Sequence, residues 1–500
     1  MRGEFGKSPN YHQWVIWLLV GLTAIRITWL FFSPLGLHGD EAQYWTWSRS
    51  FEWGYFSKPP MIAWMIGTTT GIFGNEEWAV RLSSPLIHPI TAYMLFRTGR
   101  FLFDARTGFF AACLYFLMPA VWLSSAIAST DVALLLFWSL ALNAWAHMRE
   151  TPSAKWAALL GVFIGLGFLS KYAMLFFVIS VAIIAFFDQK TRRSLFSKYG
   201  LIVATLAALI MSPNILWNAA NDFQTVGHTA ANANLKQGIP FHPIELLEFI
   251  GSQFGVFGPL TFVLLLTALG FTIRHKLNPK AKMLAVFVLV PLLVICAEAL
   301  LSRANANWAV TAYMGGSLLT ALFITAQTPK IGKTGIWINV ALGTAMAVIS
   351  LSPALTNAAG FANGVKRMRG WTATADQISK TAKLGHDDRA FSAIATDHRL
   401  TFFDLTYYNV ENKSGLPLRA WLFSKHIHNH AEATKPLPAS SVEDHPVLII
   451  NYYENYEKYL REDFARLERL APIWIELGGG KIRQYNAWAG YGYTPTEDYR

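Results

Sequence analysis

Repeated apolar runs of about 20 residues, parted by short polar turns, constrain this chain more than any other feature. Such a run satisfies its own backbone hydrogen bonds as a single helix and is long enough to cross the hydrocarbon of a bilayer. With 53% hydrophobic and only 15% charged residues over 500, the chain is too apolar for an ordinary soluble protein, so the runs read as membrane helices. The net charge of +11 need not then signal nucleic acid. Many Lys and Arg residues fall in short turns between runs, where the positive-inside rule puts them. No soluble segment interleaves basic residues with base-stacking aromatics, so nucleic acid is set aside. Cys113 and Cys296 both lie inside apolar runs, which argues against a structural disulfide or a cysteine-based metal site.

Arg2 and Lys7 precede a first run at about 14–33. It is longer than the apolar core of a signal peptide and is followed by no small-residue cleavage site, which predicts an uncleaved span with a cytoplasmic N-terminus. A polar loop, 34–78, follows on the outer side. Within it Met61–Phe73 is too short to span and reads as an interfacial helix. Further runs then alternate with basic turns at Arg97, Arg100 and Arg106, at Arg149 and Lys155, at Lys190, Arg192, Arg193 and Lys198, at Arg274 and Lys276, and at Lys330 and Lys333. A long outward loop is expected from about 214 to 254. Every inner turn carries Lys or Arg, and the alternation gives about 11 spans. The runs on either side of Lys171 are the shortest.

Composition changes near residue 353. The division is therefore a multi-spanning part, 1–352, and a small outward α/β unit, 353–500. Lys366, Arg367 and Arg369 open that unit and read as lipid-headgroup contacts. Helical spacing is expected over 371–383 and 456–470, strands over 390–396, 447–453 and 473–477, and a hairpin turn at Gly478, Gly479 and Gly480. Alternating strands and helices favour a sheet covered by helices. No internal repeat of the kind many transporters carry is present.

Polar residues at the outer ends of the runs are the candidates for chemistry. Asp40 follows the first span directly and can serve as a general base on an acceptor hydroxyl; on spacing alone it reads more readily as a helix N-cap. Glu41 is then a first-turn acid that can also face the cleft. Asp131, preceded by Ser129 and Thr130, is a cap, an acceptor-orienting acid or the holder of a divalent cation. Lys58, Lys171 and Arg303 are cations on the outer side, against the usual bias, and suit a phosphate partner. His228 is a weaker binding candidate, and His88 reads as structural. Arg26, inside the first span, is expected to pair within the bundle. His426, His428 and His430 read as a solvated loop with no fourth ligand.

Several of these residues recur in one known arrangement. Asp-Glu-Ala-x-Tyr at Asp40, Glu41, Ala42 and Tyr44 is followed by Lys-Pro-Pro at Lys58, by Phe73, Gly74 and Glu77, and by Arg81-Leu82. With Asp131 and Lys171, this order resembles bacterial membrane glycosyltransferases of the protein-mannosyltransferase superfamily, which have the GT-C fold, including the lipid A aminoarabinose transferases. The resemblance implies a polytopic α-helical enzyme of the bacterial inner membrane with a periplasmic C-terminal unit. It would move a sugar from a polyprenyl-phosphate donor to lipid A or core lipopolysaccharide. The resemblance assigns Asp40 as base, Asp131 as an active-site acid, Tyr44 as a contact, and Lys58 and Lys171 to the phosphate. Where aminoarabinose transferases have Glu before the Lys-Pro-Pro lysine, this chain has Ser57. That departure turns the expectation towards the rhizobial-type enzymes that transfer galacturonic acid. A protein O-mannosyltransferase is the competing enzyme, and a lipid-sugar flippase the competing class.

Overall fold

The computed structural model describes residues 10–227, 241–274, 277–422, 427–439 and 445–495. The first span is a 22-residue helix, α1 (Tyr11–Phe32), capped by Asn10, whose side-chain oxygen accepts the Gln13 N–H at 3.2 Å. At a rise of about 1.5 Å per residue it is long enough to cross a bilayer. Five helices are long and apolar enough to do so among the described residues: α1, Thr130–Glu150, Lys198–Ala220, Ala281–Leu301 and Pro329–Ser350. Two more candidates are bent pairs, Tyr172–Phe187 with Gln189–Leu195 at 119°, and Pro243–Val256 with Pro259–Ile273 at 109°. The second bend has a plain cause. Gly258 takes φ +99°, open to glycine alone at little cost, and Pro259 starts the next helix where its missing N–H is not needed.

The outward loop expected over 214–254 is shorter than foreseen. Lys198–Ala220 continues as helix through Pro213, and Pro243–Val256 is helical as well. Proline is a weaker stop inside an apolar span, where continued helix is the only way to satisfy most backbone groups.

The polar loop after α1 holds α2 (Gly39–Trp47) and the expected short helix, α3 (Met61–Phe73). Its partner is the C-terminal unit. There the strands β1 (Ala393–Thr396), β2 (Leu418–Ala420), β3 (Val447–Asn451), β4 (Phe464–Arg469), β5 (Ile473–Gly478) and β6 (Lys481–Tyr493) form a six-stranded sheet in the order β2-β1-β3-β6-β4, with β5 also on β6. The β2, β1 and β3 strands are parallel; β6 runs antiparallel to its neighbours. Gly478, Gly479 and Gly480 turn β5 into β6 with φ of +80°, +60° and +72°. The helix expected over 456–470 stops at Asp463, and β4 follows. Its exposed charged residues look helical in sequence, but the long β6 offers a ladder that decides the matter.

The loop and the sheet share one apolar core. Leu37, Ala42, Trp47, Tyr55 and Ile62 pack in the same cluster as Phe402, Ile394, Leu448 and Ala487. The backbone of α2 comes close at Gly39, where an added Cβ would lie 2.6 Å from Leu400 Cβ. His430, expected in a solvated loop, instead starts the helix His430–Thr434, with its ring edge-on to Trp47 at 5.9 Å. Arg369 likewise turns inward to donate to Thr356 Oγ1 at 2.9 Å, whereas Lys366 and Arg367 stay exposed. His426 lies outside the described residues.

Candidate active site

Local geometry at the start of α2 settles what Asp40 is not. His38 is the N-cap, and its Nδ1 accepts the Asp40 N–H at 3.2 Å. Glu41 closes the capping box by accepting the His38 N–H at 2.9 Å. Asp40 is therefore free of capping. Its side chain is 41% exposed, and Oδ1 accepts a hydrogen bond from Arg399 Nη2 at 3.0 Å. Arg399 also donates to the Gln43 side chain.

Glu41, expected to face substrate, is 2% exposed and fully occupied. Its Oε1 accepts from Arg81 Nε at 2.9 Å and from the Ala128 N–H at 2.8 Å, and Oε2 accepts from Arg81 Nη2 at 2.7 Å. Arg81 goes on to the Leu35 and Gly36 carbonyls at 2.9 and 2.7 Å. Glu41 is a positioning residue.

Asp131 is likewise no cap: Ser129 caps the helix Thr130–Glu150, its hydroxyl accepting the Asp131 N–H. Lys171 donates to Asp131 Oδ1 at 2.7 Å, and Asn307 donates to Oδ2 at 2.6 Å. Both oxygens are held, with cations close by, so the donor set does not fit a divalent cation. Among the described residues the one convergent trio of metal-type ligands is His386, Asp387 and Glu468 on the sheet, with Arg466 paired to both acids.

Lys58 completes the group. Burial pushes its ammonium below the usual lysine range, the charge of Lys171 pushes it further, and Asp40 and Asp131 pull it back. Lys58 thus senses all three residues, yet among the described residues its ammonium has no hydrogen-bond or ion-pair partner. Its loop is pinned from another helix and the turn after it. Asn214 donates to the Trp53 carbonyl at 2.6 Å, Trp217 Nε1 to Glu52 Oε2 at 3.1 Å, and Thr225 to the Tyr55 carbonyl at 2.6 Å. Tyr44 lies buried beside Asp40, and burial, then the Asp40 charge, hold its hydroxyl protonated well above the usual range.

The structure therefore brings Asp40, Tyr44, Lys58, Asp131 and Lys171 together and leaves other candidates aside. Arg303 is exposed, on the turn that delivers Asn307. His228 lies outside the described residues. His88 is buried, bonded to Tyr115 Oη at 2.7 Å and Ser124 Oγ at 2.8 Å, and Arg26 donates to the Phe116 carbonyl at 2.7 Å within the bundle. Sequence reasoning missed Arg399 and Asn307. Arg399 follows a strand of the sheet by three residues, a place where ligand-facing groups gather; Asn307 had no comparable signal.

A multi-spanning helical protein with acids and cations gathered at the ends of its helices fits one class, the membrane glycosyltransferases of GT-C fold. Residues 57–217 match the family described as dolichyl-phosphate-mannose-protein mannosyltransferase. The chain is 34% identical over 398 residues to the lipid A galacturonosyltransferase RgtD of Rhizobium johnstonii, covering 78% of this chain and 81% of that one. An undecaprenyl phosphate-alpha-4-amino-4-deoxy-L-arabinose arabinosyl transferase of Pseudomonas fluorescens is 27% identical over 222 residues, 40% of this chain and 39% of its own. The crystal structure of ArnT from Cupriavidus metallidurans bound to undecaprenyl phosphate has the same fold, with a TM-score of 0.65 at 15% identity over 97% of this chain and 99% of its own. The chain belongs to the GT-C glycosyltransferase family that includes the rhizobial lipid A galacturonosyltransferase.

The buried pair yields a direct test. Glu41→Ala leaves the Arg81 guanidinium uncompensated in the interior, which costs about 3–5 kcal/mol. The thermal unfolding midpoint of the purified variant in detergent should fall clearly below wild type. An unchanged midpoint would show that the pair does not hold α2.

Proposed function

We propose that the chain transfers galacturonic acid from a polyprenyl-phosphate carrier to lipid A at the periplasmic face of the bacterial inner membrane. The observation that carries this reading is the unpartnered Lys58 ammonium beside Asp40 and the Lys171–Asp131 pair. A half-buried cation without a counter-ion awaits an anion, and the phosphate of a lipid-linked sugar supplies one. The likeness to the rhizobial transferase supports the sugar and the acceptor, and Ser57 in place of Glu fits a sugar other than aminoarabinose. A protein acceptor, the competing reading, is favoured less: the protein-mannosyltransferase family matches residues 57–217 alone, whereas the galacturonosyltransferase aligns over 78% of the chain.

Lys58 and Lys171 hold the phosphate, and Asp131 with Asn307 fixes Lys171. The acceptor hydroxyl attacks the anomeric carbon as Asp40 takes its proton. The bond from that carbon to the phosphate oxygen breaks, and polyprenyl phosphate leaves with the electron pair. One displacement inverts the anomeric configuration. Tyr44, protonated throughout, lines the cleft.

The topology belongs to the same proposal: about 11 spans, with Asp40, Asp131, Lys171 and residues 353–500 outside. Asp131 and the Arg149–Asp188 pair sit at opposite ends of the helix Thr130–Glu150, which supports a periplasmic site and a basic cytoplasmic end. Reporters fused after Lys190 and after Trp371 should report opposite sides of the membrane; the same side for both defeats the arrangement.

Asp40→Asn removes the base and, since His38 is the cap, spares the helix. Transfer should drop by about 10²–10⁴-fold with normal expression and membrane insertion. Near-normal turnover, or product of retained configuration, would defeat the mechanism.

Lys58→Ala should weaken donor binding by about 1.5–3 kcal/mol, roughly ten- to a hundredfold. Because its ammonium is held below the usual lysine range, Lys58 sheds its proton earlier than a surface lysine as pH rises. The donor KM should therefore climb on the alkaline side, and Lys58→Arg, charged throughout, should flatten that limb. A limb that persists in Lys58→Arg belongs to another group.

A further inference from the structure

The parallel part of the sheet has a reversal of strand order at its centre. From β1 the chain runs outward to β2, then returns across to β3 on the other side of β1, and from β3 it moves on towards β4. The connections leaving β1 and β3 therefore depart in opposite directions from their carboxyl ends. Open α/β sheets place ligands at such a point.

One half-buried acid ties the carboxyl ends of the two strands together. Asp397, just after β1, accepts the Tyr452 N–H at 2.8 Å, the Tyr453 N–H at 3.0 Å and Asn451 Nδ2 at 2.7 Å, all from the end of β3. His398 caps the following helix, Arg399–Tyr407, and its ring stacks on Tyr452 at 4.2 Å. The next residue, Arg399, starts on a rigid base and extends across to α2. Its one ionic partner among the described residues is Asp40, the proposed base.

That pairing poses a chemical difficulty. Arg399 Nη2 occupies Oδ1 of the proposed base at 3.0 Å, where the acceptor hydroxyl would deliver its proton, so a competing anion that draws the guanidinium away opens that oxygen. The donor phosphate is already matched by Lys58 and Lys171. A uronyl sugar carries a second anion, a planar carboxylate, which a guanidinium fork recognises in a bidentate manner.

We propose that Arg399 is a specificity-determining residue: it receives the carboxylate of the donor's uronyl group and, in doing so, releases Asp40. The inference rests on the galacturonosyl reading above and names the residue that reads the acid. A neutral hexose on the same carrier leaves Arg399 on Asp40, so it is penalised in binding and in the rate of transfer. Asp397 and the stacked His398 and Tyr452 rings anchor the start of the helix that carries Arg399.

The test compares two donors on one preparation of full-length enzyme in detergent: polyprenyl phosphoryl galacturonate and polyprenyl phosphoryl galactose. Apparent affinity is read from KM, or from competition where a donor is not turned over. Wild type should prefer the uronyl donor, and Arg399→Gln should reduce that preference by about ten- to a hundredfold. Arg399→Lys, which keeps the charge but not the fork, should restore part of it. Because each ratio comes from one preparation, a smaller folded fraction cancels. Equal weakening of both donors by Arg399→Gln, or an unchanged preference, overturns the assignment of Arg399 while leaving galacturonosyl transfer standing. Wild-type enzyme that fails with the uronyl donor overturns the galacturonosyl reading and this inference with it.

Discussion

The buried pair of Glu41 and Arg81 is the interaction on which the site depends. A charge at such depth is tolerated only when its polar atoms find partners, and here each Glu41 oxygen and each Arg81 nitrogen does. Through this one pair the end of the first span, the start of α2, the helix Glu77–Arg81 and the turn at Ala128 are fixed relative to one another. Replacement by apolar residues of similar size can match such a pair in stability, so what it contributes is geometry. Asp40 is the neighbour of Glu41 in a capped helix, and its direction into the cleft follows from the anchoring of that helix.

A second layer of the same logic surrounds the cations. Asp131 places Lys171 while Asn307 closes its other oxygen, and Asn214, Trp217 and Thr225 hold the loop that carries Lys58. Each group proposed to touch substrate is thus braced by a residue that does not. The side chains left open, Asp40 in part and the Lys58 ammonium, are those proposed to meet the acceptor and the donor.

How far the sequence could be read depended on distance along the chain. Apolar runs, basic turns and the short α3 follow from local patterning, as does the glycine turn between β5 and β6. The candidates at the helix ends were legible because a charge beside an apolar run has few reasons to be there. The partners were not. Arg399 meets Asp40 across 359 residues and Asn307 meets Asp131 across 176, and no local period encodes either encounter. Glu41 shows the converse limit. Side by side with Asp40, it differs only in which way the helix turns it, and that is set by Arg81. The capping roles first open to Asp40 and Asp131 fell to His38 and Ser129, since a side chain one or two positions earlier reaches the free N–H groups better.

The contact at Gly39 bears on how this architecture can diversify. Where the backbone of α2 lies against Leu400 with no room for a methyl group, the first loop and the C-terminal sheet form a single mated surface. They cannot be inherited or recombined as independent modules. A chimera that joins the membrane part of one family member to the terminal unit of another cuts through that surface, and its crossover must carry the first loop along with the sheet. Substrate range in such enzymes should accordingly shift in blocks, with distant stretches of sequence changing together.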